Sequence, residues 1–411
     1  MPLLCRSCAS ELRLSFCDLG ATPFSNSFLS ADDLDKSETF YPLHARVCES
    51  CWLVQLPAFE PADRIFNDSY AYFSSYSESW LRHSERFCRE MILWRELGSG
   101  SRVVEVASND GYLLQYFQRA GVPVLGIEPS GNCAEAAKAR GVPTLVRFFG
   151  RETAAVLVSQ GQRADLLVAN NVLAHVPDVN DFVAGLKLAL APGGVISLEF
   201  PHLLRLMQGN QFDTIYHEHY SYLSLLAVSK LLERHGLRVL DVVELQTHGG
   251  SLRVLAQHEH DCPAVVGSSA ARVLAEERHA GLEGAAAYRD FQHRVTLTRL
   301  ALLRMLLAAR AAGQRVWAYG APAKGNTLLN YCGVRTDLVE ATVDRSPHKQ
   351  GKFLPGIRIP VLAPEDLLAA QPDFVLILPW NLRDEIMEQM AAIKSWGGRF
   401  IVPIPMPAVL S

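Results

Sequence analysis

Residues 214–224, TIYHEHYSYLS, concentrate side chains that can act as acids, bases or hydrogen-bond donors. In a core, the three tyrosine hydroxyls and two imidazoles would each need a hydrogen-bond partner, so we expect the segment to line a polar cavity. An imidazole titrates near neutral pH, which favours a general base there. The H-E-x-x-H motif places its histidines one helical turn apart, whereas His217 and His219 are closer in sequence. A strand-like histidine pair that binds a metal stays open as the alternative.

Two neighbouring residues could take part in this chemistry. His175, in NVLAHVPD, follows a predicted strand and could join the cavity; the alternative is an exposed loop histidine. Glu218 adjoins His219, so on a helix or a strand their side chains would diverge. We therefore expect Glu218 to position a loop or a substrate hydroxyl rather than the imidazole.

The first predicted strand-to-helix junction, VEVASNDGYLL, carries acidic and amide side chains instead of a glycine-rich loop. Acidic groups would repel a pyrophosphate, so a cationic ligand without phosphate fits better than a dinucleotide. A carboxylate at the end of the next strand can accept hydrogen bonds from ribose hydroxyls. S-adenosylmethionine combines a ribose with a positive sulfonium, which predicts a class I methyltransferase. The candidate ligands, each of which could alternatively be an ordinary strand-end residue, are Glu105, Asn109, Asp110, Gly111, Glu128, Asn170 and Asn171.

A second junction, YGAPAKGNT, favours an anion. Lys324 and the following helix N-terminus could both bind a phosphate, and Asp344, at the end of the next strand, could bind a ribose hydroxyl. The dinucleotide fingerprint is absent, so the nucleotide part of a substrate is favoured over NAD. Asn381, in PWNLRDE, would add to the same crevice. The alternative is a purely structural domain that mediates dimerisation.

The stretch THGGSLRV places two glycines and Arg253 beside a predicted strand, which would admit an anionic ligand closely. The alternative is a bulged strand with a surface arginine. Together with Tyr222 and His248, we expect Arg253 to contact the substrate.

Four of the nine cysteines form two Cys-x-x-Cys pairs, Cys5 with Cys8 and Cys48 with Cys51. Two such pairs can complete a tetrahedral Cys₄ zinc site, which leaves no position for water and would therefore be structural. Unrelated core cysteines or a redox pair are the alternatives. We expect the remaining five cysteines to be small buried hydrophobic residues.

The elements that must position these residues follow from hydrophobic patterning. Residues 1–65 read as an irregular zinc-binding domain, and residues 77–97 as an amphipathic helix. Strands then alternate with helices, which predicts a class I (Rossmann-like) α/β methyltransferase domain over residues 66–245. A long helical stretch, roughly 266–312, precedes a second Rossmann-like α/β series. We therefore predict a C-terminal Rossmann-like domain over residues 246–411 that helps to bind the substrate.

Charge and terminal sequence exclude several classes of partner. The formal net charge of the 411 residues is −4, so nothing indicates a nucleic-acid or membrane-surface binder. The N-terminus, MPLLCRSCAS, lacks the pattern of a signal peptide, and we expect a cytoplasmic protein.

The motifs CRSC, CESC, YAYFSS, EVASNDG, GIEPS, ANNVLAHVPD, IYHEHYSYLS, THGGSLRV, YGAPAKGNT and LPWNLRDEI resemble, in this order, those of the sugar C-methyltransferase family. Members of that family methylate a carbon of nucleotide-linked keto-deoxysugars, with S-adenosylmethionine as methyl donor and a structural Zn²⁺. The resemblance implies that His219 is the catalytic base and that its associated active-site residues are Tyr216, Glu218, His175 and Tyr70. Ser251 stands where some members have an acidic residue.

This resemblance also implies the reaction and its partners. A base would remove a proton next to the ketone of a 4-keto sugar, most simply at C3, and the enolate would attack the methyl group. The substrate would carry thymidine or guanosine diphosphate, and the protein would be a monomer or a small homo-oligomer. The alternative is a zinc-containing methyltransferase of another substrate class, nucleic acid or natural product.

Overall fold

The N-terminal zinc-binding module forms an antiparallel sheet. The computed structural model describes residues 2–61, 73–261 and 267–410. Strands β1 (Leu14–Thr22), β2 (Tyr41–Val47) and β3 (Val54–Gln55) pair in this order. The prediction of an irregular first domain is therefore wrong. The register of β1 with β2 shifts twice, and these irregularities break the period-2 alternation that reveals a strand in a sequence.

The central domain is the predicted α/β unit. Its helices are α1 (Glu78–Arg95), α2 (Leu114–Arg119), α3 (Gly131–Ala139), α4 (Arg151–Ser159), α5 (Val179–Ala189), α6 (Leu203–Gln208) and α7 (Leu225–Arg234). Its strands are β4 (Val103–Val106), β5 (Val124–Ile127), β6 (Thr144–Leu145), β7 (Ala164–Asn170), β8 (Leu190–Pro201), β9 (Ser221–Tyr222), β10 (Leu237–Leu245) and β11 (Ser251–His258).

Seven of these strands form one sheet in the order β10-β11-β8-β7-β4-β5-β6. Strand β11 runs antiparallel to both of its neighbours, and the other pairs that the sheet makes directly are parallel. The chain order reverses between β4 and β7, where ligands bind in doubly wound sheets.

Strand β9 leaves the central domain and joins the sheet of the zinc-binding module. Val54 pairs with Tyr222 and Gln55 with Ser221, which makes β9 the fourth strand of that sheet. The segment of residues 214–224 is therefore attached to the N-terminal module by this strand, which begins at Ser221, shortly after His219.

The predicted helical stretch before the last domain is two helices, α8 (Ser268–His279) and α9 (Ala285–Ala311). Residues 280–284, with Gly281 at φ 83°, separate them. The C-terminal sheet has the order β14-β13-β12-β15-β16-β17, formed by β12 (Val316–Tyr319), β13 (Thr342–Val343), β14 (Val361–Leu362), β15 (Phe374–Ile377), β16 (Arg399–Val402) and β17 (Ala408–Leu410). Helices α10 (Ala323–Cys332), α11 (Pro364–Ala370) and α12 (Arg383–Gln389) connect these strands.

The zinc-binding module shares its hydrophobic core with both other domains. Phe16 stacks on Phe291 of α9 with ring centroids 4.6 Å apart, and Trp52 stacks on Tyr288 of the same helix at 5.9 Å. Within the described residues, we find no helix with the length and apolar character needed to cross a bilayer.

Candidate active site

A turn over residues 216–219 brings Tyr216 and His219 together. The His219 amide donates to the Tyr216 carbonyl at 2.9 Å, and the two rings lie 4.0 Å apart. His219 Nδ1 lies 2.9 Å from the carbonyl oxygen of Thr214, and Nε2 lies 2.8 Å from the Tyr216 hydroxyl. Because a carbonyl only accepts, Nδ1 must carry the proton and Nε2 has the lone pair, to which Tyr216 donates. His219 therefore has the tautomer of a base at Nε2.

His175 lies beside this pair, at the end of the short 3₁₀ helix Leu173–His175 that follows β7. Its ring centroid is 4.7 Å from that of His219, and its Nδ1 donates to the Glu218 carbonyl at 2.8 Å. Burial lowers the pKa of His175 to about 4. Burial, together with His175 and His248, also lowers the pKa of His219 well below its ordinary value. Both imidazoles are therefore neutral at physiological pH, as a general base must be.

The side chains of His217 and Glu218 point away from His219, towards the zinc-binding module. His217 Nε2 donates to the Pro42 carbonyl at 3.2 Å, and its ring contacts those of Phe24, Tyr41 and Phe59. The Glu218 carboxylate accepts hydrogen bonds from Asn26 Nδ2 at 2.7 and 2.9 Å. Burial raises the pKa of Glu218 to about 7, although the Asn26 amide opposes this rise. The arrangement does not support a metal-binding pair of His217 and His219.

Tyr222 lies in β9 with a buried side chain, and its ring centroid is 6.3 Å from that of His219. Burial raises the pKa of its hydroxyl well above the ordinary value, so the hydroxyl stays protonated. Tyr70 lies outside the residues that the structure describes.

The candidate S-adenosylmethionine site lies at the carboxyl ends of β4, β5 and β7. Glu128 accepts hydrogen bonds from the amides of Asn109 and Ser130, both at 2.9 Å, and so joins the loops after β4 and β5. Burial raises the pKa of Glu105 well above its ordinary value; the nearby Tyr112 hydroxyl opposes this rise. Two carboxyl groups thus lie inside the protein where the sheet order reverses.

The loop after β4 is shaped by specific contacts. Asp110 is buried and forms an ion pair with Arg140 at 2.7 Å and a hydrogen bond with Ser75, so its side chain is engaged within the protein. Gly111 has φ 77°, and a Cβ there would lie 3.0 Å from a methyl group of Val142. Gly111 is therefore required by the backbone and by the close packing of this loop.

Asn170 and Asn171 end β7 with amide oxygens that are buried and have no hydrogen-bond partner among the described residues. Asn171 has φ 55°, and its amide donates to the Glu199 carbonyl at 2.6 Å. Buried acceptors next to two carboxyl groups suit a ligand with a positive charge and several donors. The residues present therefore fit S-adenosylmethionine: Glu105, Glu128, Asn170 and Asn171 would hold it.

The C-terminal domain places Lys324 close to Asp213, which directly precedes residues 214–224. Lys324 Nζ lies 4.4 Å above the centre of the Trp380 ring and donates to the Asn381 side chain. The Trp380 Nε1 donates to Asp213 of the central domain at 2.7 Å. Burial lowers the pKa of Lys324 to about 8, although the nearby Asp213 opposes this shift. Burial also raises the pKa of Asp213 to about 6, although Lys324 opposes that rise.

His248 is electrostatically close to both His219 and Lys324. The surrounding protein, Lys324 and His83 lower the pKa of His248, and Glu199 opposes this shift. His248 in turn lowers the pKa of His219. His248 has φ 54°, and its ring packs against Trp80 with centroids 5.4 Å apart. His175, Tyr216 and His219 therefore form one cluster, and His248 is close enough to affect the pKa of His219 and to be affected by Lys324.

Two residues predicted to contact the substrate are engaged elsewhere. Asp344 accepts hydrogen bonds from the amides of Ala321 and Ser346 at 2.7 and 2.8 Å, which fixes the loop that precedes Lys324. Arg253 is buried and pairs with Glu199 at 3.1 Å, over the ring of Phe87. The alternative of a surface arginine is therefore wrong. Glu199 is ionised because, although burial raises its pKa, His83 and Arg253 lower it below the ordinary value.

The sequence analysis missed several residues that the structure places at the site. Asn26, Asp213, His83 and Glu199 each contact a predicted residue or its neighbour across a large sequence separation. The one signal for Asp213 is its position directly before TIYHEHYSYLS; Asn26 lies in the polar and aromatic stretch PFSNSF, which gives no pattern.

The four predicted cysteine ligands converge. The sulfur atoms of Cys5, Cys8, Cys48 and Cys51 all lie within 4.8 Å of one another. With Zn–S bonds of about 2.3 Å, tetrahedral sulfurs are about 3.8 Å apart, so the cluster fits zinc. In each pair, the residue after the second cysteine, Ala9 or Trp52, has a positive φ and donates its amide to the carbonyl of the first cysteine at 2.8 Å. The two knuckles therefore share one local geometry.

Three family models match successive parts of the chain. A zinc binding domain matches residues 5–66, a methyltransferase domain matches residues 80–242, and a C-methyltransferase C-terminal domain matches residues 246–405.

Curated relatives include the C-methyltransferase NovU of Streptomyces niveus, which is 38% identical over 411 residues, 99% of this chain and 96% of the relative. A ubiquinone biosynthesis O-methyltransferase of Rhodopseudomonas palustris is 31% identical over 98 residues, 24% of this chain and 39% of the relative.

Solved structures with similarity include the magnesium protoporphyrin IX methyltransferase ChlM from Synechocystis with bound SAM. It is 14% identical, covers 49% of this chain and 99% of its own, and has a TM-score of 0.36. The glycopeptide N-methyltransferase MtfA in complex with sinefungin is 18% identical, covers 42% of this chain and 93% of its own, and has a TM-score of 0.33.

Proposed function

The chain belongs to the C-methyltransferase family, as its motifs predict, and we propose that it methylates C3 of a 4-keto-deoxysugar linked to a nucleoside diphosphate. It is a methyltransferase that uses S-adenosylmethionine and has a zinc-binding domain. The nucleotide sugar, the methylated carbon and the residue roles are the proposed part.

The observation that carries the proposal is the pairing of His219 with Tyr216. Carbon is acidic next to a ketone only if the developing enolate oxygen is stabilised, so the reaction needs a base and an oxyanion donor together. His219 Nε2 would take the proton from C3. The Tyr216 hydroxyl, which donates to Nε2 without substrate, would then turn to the enolate oxygen, with His175 adjacent.

S-adenosylmethionine, when bound, would supply an electrophilic methyl group to the enolate carbon, with S-adenosylhomocysteine as the leaving group. Glu105, Glu128, Asn170 and Asn171 would orient it from the carboxyl ends of the strands. Lys324, which lies over Trp380 and close to Asp213, would bind the diphosphate of the substrate. A cationic side chain and a neutral imidazole in the same region support a substrate with an anionic end and a reactive ketone.

The test is methyl transfer with a panel of thymidine and guanosine diphosphate 4-keto-deoxysugars, followed by mass spectrometry and NMR of the product. We expect one of them to gain a methyl group at C3. His219→Asn should lower kcat by about 10²–10⁴-fold and leave the affinity for S-adenosylmethionine close to that of the wild type.

Solvent exchange separates deprotonation from methyl transfer. In deuterium oxide, without methyl donor, the wild type should exchange the C3 hydrogen of the substrate, and the His219→Asn variant should not. Near-normal exchange or turnover in the variant would exclude His219 as the base, and methylation of an oxygen or of a nucleic acid in place of the sugar carbon would exclude the proposed substrate.

A further inference from the structure

The loop over residues 23–29 of the zinc-binding module reaches the turn that carries His219. Its Asn26 donates from Nδ2 to both carboxylate oxygens of Glu218, at 2.7 and 2.9 Å. Asn26 is exposed, whereas Glu218 is 5% exposed, so the amide covers the carboxylate from the solvent side. In the described part of the chain, Asn26 is the one side chain that hydrogen-bonds to this carboxylate.

Both sides of this loop are fixed, so the Asn26 amide has a defined position. Phe24 packs against His217 with ring centroids 5.2 Å apart, which joins the loop to the catalytic turn. Ser25 contacts Thr327 of α10, oxygen to oxygen, at 3.4 Å. Leu29 and Phe353 exchange two main-chain hydrogen bonds of 3.0 and 2.9 Å, which joins the loop to the C-terminal domain. The loop therefore lies between the turn and the helix that carries Lys324.

On the side of the zinc-binding module, the turn is also restrained by His217, which contacts Pro42 and three aromatic rings, whereas Glu218 is restrained there by Asn26. His175 donates a hydrogen bond to the Glu218 carbonyl. The side chain of Glu218 diverges from that of His219, so the position of the carboxylate affects His219 through the main chain that joins the two residues. A hydrogen bond to a carboxylate is stronger than one between neutral groups. The Asn26 amide is thus placed to fix the orientation of the turn.

We propose that Asn26 is a positioning residue, which through Glu218 holds the turn of residues 216–219 in the orientation that aims His219 at its substrate. The inference deepens the proposed function and rests on it. Nothing in the sequence pattern or in the family motifs assigns a role to Asn26.

Removal of the amide tests this role. Asn26→Ala should lower kcat by about 10- to 100-fold, the usual value of a hydrogen bond to a charged group, with little change in KM or in the affinity for S-adenosylmethionine. Ser27→Ala is the matched control, since Ser27 is an exposed neighbour in the same loop. A kcat of Asn26→Ala equal to that of the control would overturn the proposal.

Exchange of donor and acceptor provides the sharper test. Asn26→Asp puts a second carboxylate against Glu218 and removes the donor that lowers the pKa of Glu218, so that pKa should rise above its wild-type value of about 7. We expect kcat to fall further than in Asn26→Ala, and more steeply at the higher pH where both carboxyl groups ionise. Tyr220, whose pKa the Glu218 carboxyl helps to raise, is present in all of these variants. The double variant Asn26→Asp, Glu218→Gln restores a donor and an acceptor in exchanged places. It should recover at least about tenfold in kcat over Asn26→Asp, and a failure to recover would overturn the proposal.

A measurement without substrate distinguishes failure of this inference from failure of the proposed function. Thermal unfolding of the wild type, the two Asn26 variants, Glu218→Gln and the double variant should show coupling between positions 26 and 218, whichever sugar is the substrate. If the wild type methylated no nucleotide sugar, the proposed function would fail while this coupling persisted. Additive effects on unfolding would mean that the contact does not hold the turn.

Discussion

His219 and Tyr216 show how a three-residue spacing produces a reactive pair. The turn places the hydroxyl of Tyr216 on Nε2, and the Thr214 carbonyl fixes the proton on Nδ1. Because burial lowers the pKa of His219, the imidazole is neutral at physiological pH and can accept a proton without first losing one. In the proposed reaction, the hydroxyl that donates to the Nε2 lone pair would also donate to the enolate oxygen.

Tyr216→Phe should therefore affect the chemical step. The change removes the donor to Nε2 and the proposed donor to the enolate, and we expect kcat to fall by about 10²–10³-fold with a small change in substrate KM. Tyr220→Phe is the matched control, because the Tyr220 hydroxyl is directed to the Glu60 carbonyl, at 3.4 Å, outside the turn. Steady-state methyl transfer measures both, and equal activities of the two variants would contradict the assignment.

Lys324 should give the affinity for the nucleotide sugar a dependence on pH. Its pKa in the free protein is lowered to about 8, so the ammonium is charged below that pH and loses its charge as the pH rises through it. KM for an anionic substrate should accordingly rise above about pH 8, while Lys324→Met should have a raised KM that no longer varies there. Lys324→Arg retains the charge at all these pH values and is the control. A wild-type KM that stays constant from pH 7 to 9.5 would argue against a phosphate contact.

At the level of elements, β9 attaches the zinc-binding module to the candidate active site. This two-residue strand follows the catalytic turn directly and pairs with β3, while the Leu56 amide donates to the Tyr220 carbonyl at 3.0 Å. Gln55 of β3 also donates to the sulfur of Cys5 at 3.1 Å. The cysteine cluster and the turn of residues 216–219 are thus both connected to β3.

Loss of the metal should consequently impair catalysis before it impairs binding of the methyl donor. We expect Cys48→Ser to lose zinc and to lower kcat by more than about tenfold, because β3 and with it β9 lose their support, while the affinity for S-adenosylmethionine stays near that of the wild type. Cys17→Ala is the control, since Cys17 is buried in the same module and is not a ligand. Zinc content, calorimetric binding and turnover are measured on the same preparations; a zinc-free variant with normal turnover would refute the connection.

Local elements could be predicted from the sequence, whereas the contacts between them could not. Helix α1, the strands that carry Glu105 and Glu128, and the Cys₄ cluster each follow from a pattern within a few residues or a repeated motif. Strand β9 is too short for any periodicity, and the bulges of β1 conceal its alternation. Asn26 and Asp213 form hydrogen bonds with partners more than a hundred residues away, and no local pattern encodes such pairs.

Across the whole molecule, three parts of the chain that are distant in sequence pack together. The zinc-binding module, helices α6 and α9 and the C-terminal sheet contribute to one continuous hydrophobic core. Trp380 of the C-terminal domain meets Asp213, and a Cβ on Gly249 would lie 2.9 Å from the same indole ring, so the joint requires a glycine there. These contacts therefore restrict the positions of the domains relative to one another.

Glu277 of α8 is the buried polar contact that fixes this arrangement. Its fully buried carboxylate accepts hydrogen bonds from the amides of Leu225 and Leu226, at 2.6 and 2.8 Å, at the start of α7, and from His202 Nε2 at 2.7 Å. Since α7 begins directly after the catalytic segment, Glu277 ties that segment to the C-terminal half of the chain. Truncation of this side chain would leave three buried donors without an acceptor.

Glu277→Ala should lower the free energy of unfolding by about 3–5 kcal/mol, the usual cost of removing one partner from a buried polar pair. The neighbouring Glu276 pairs with Arg205 at 2.7 Å but is about one third exposed, so Glu276→Ala should cost only about 0.2–1 kcal/mol. Chemical denaturation monitored by tryptophan fluorescence compares the two. If both variants were equally stable, the attachment of α7 to the C-terminal half would not depend on Glu277, and the packing of Leu225 and Leu226 alone would have to hold the catalytic segment in place.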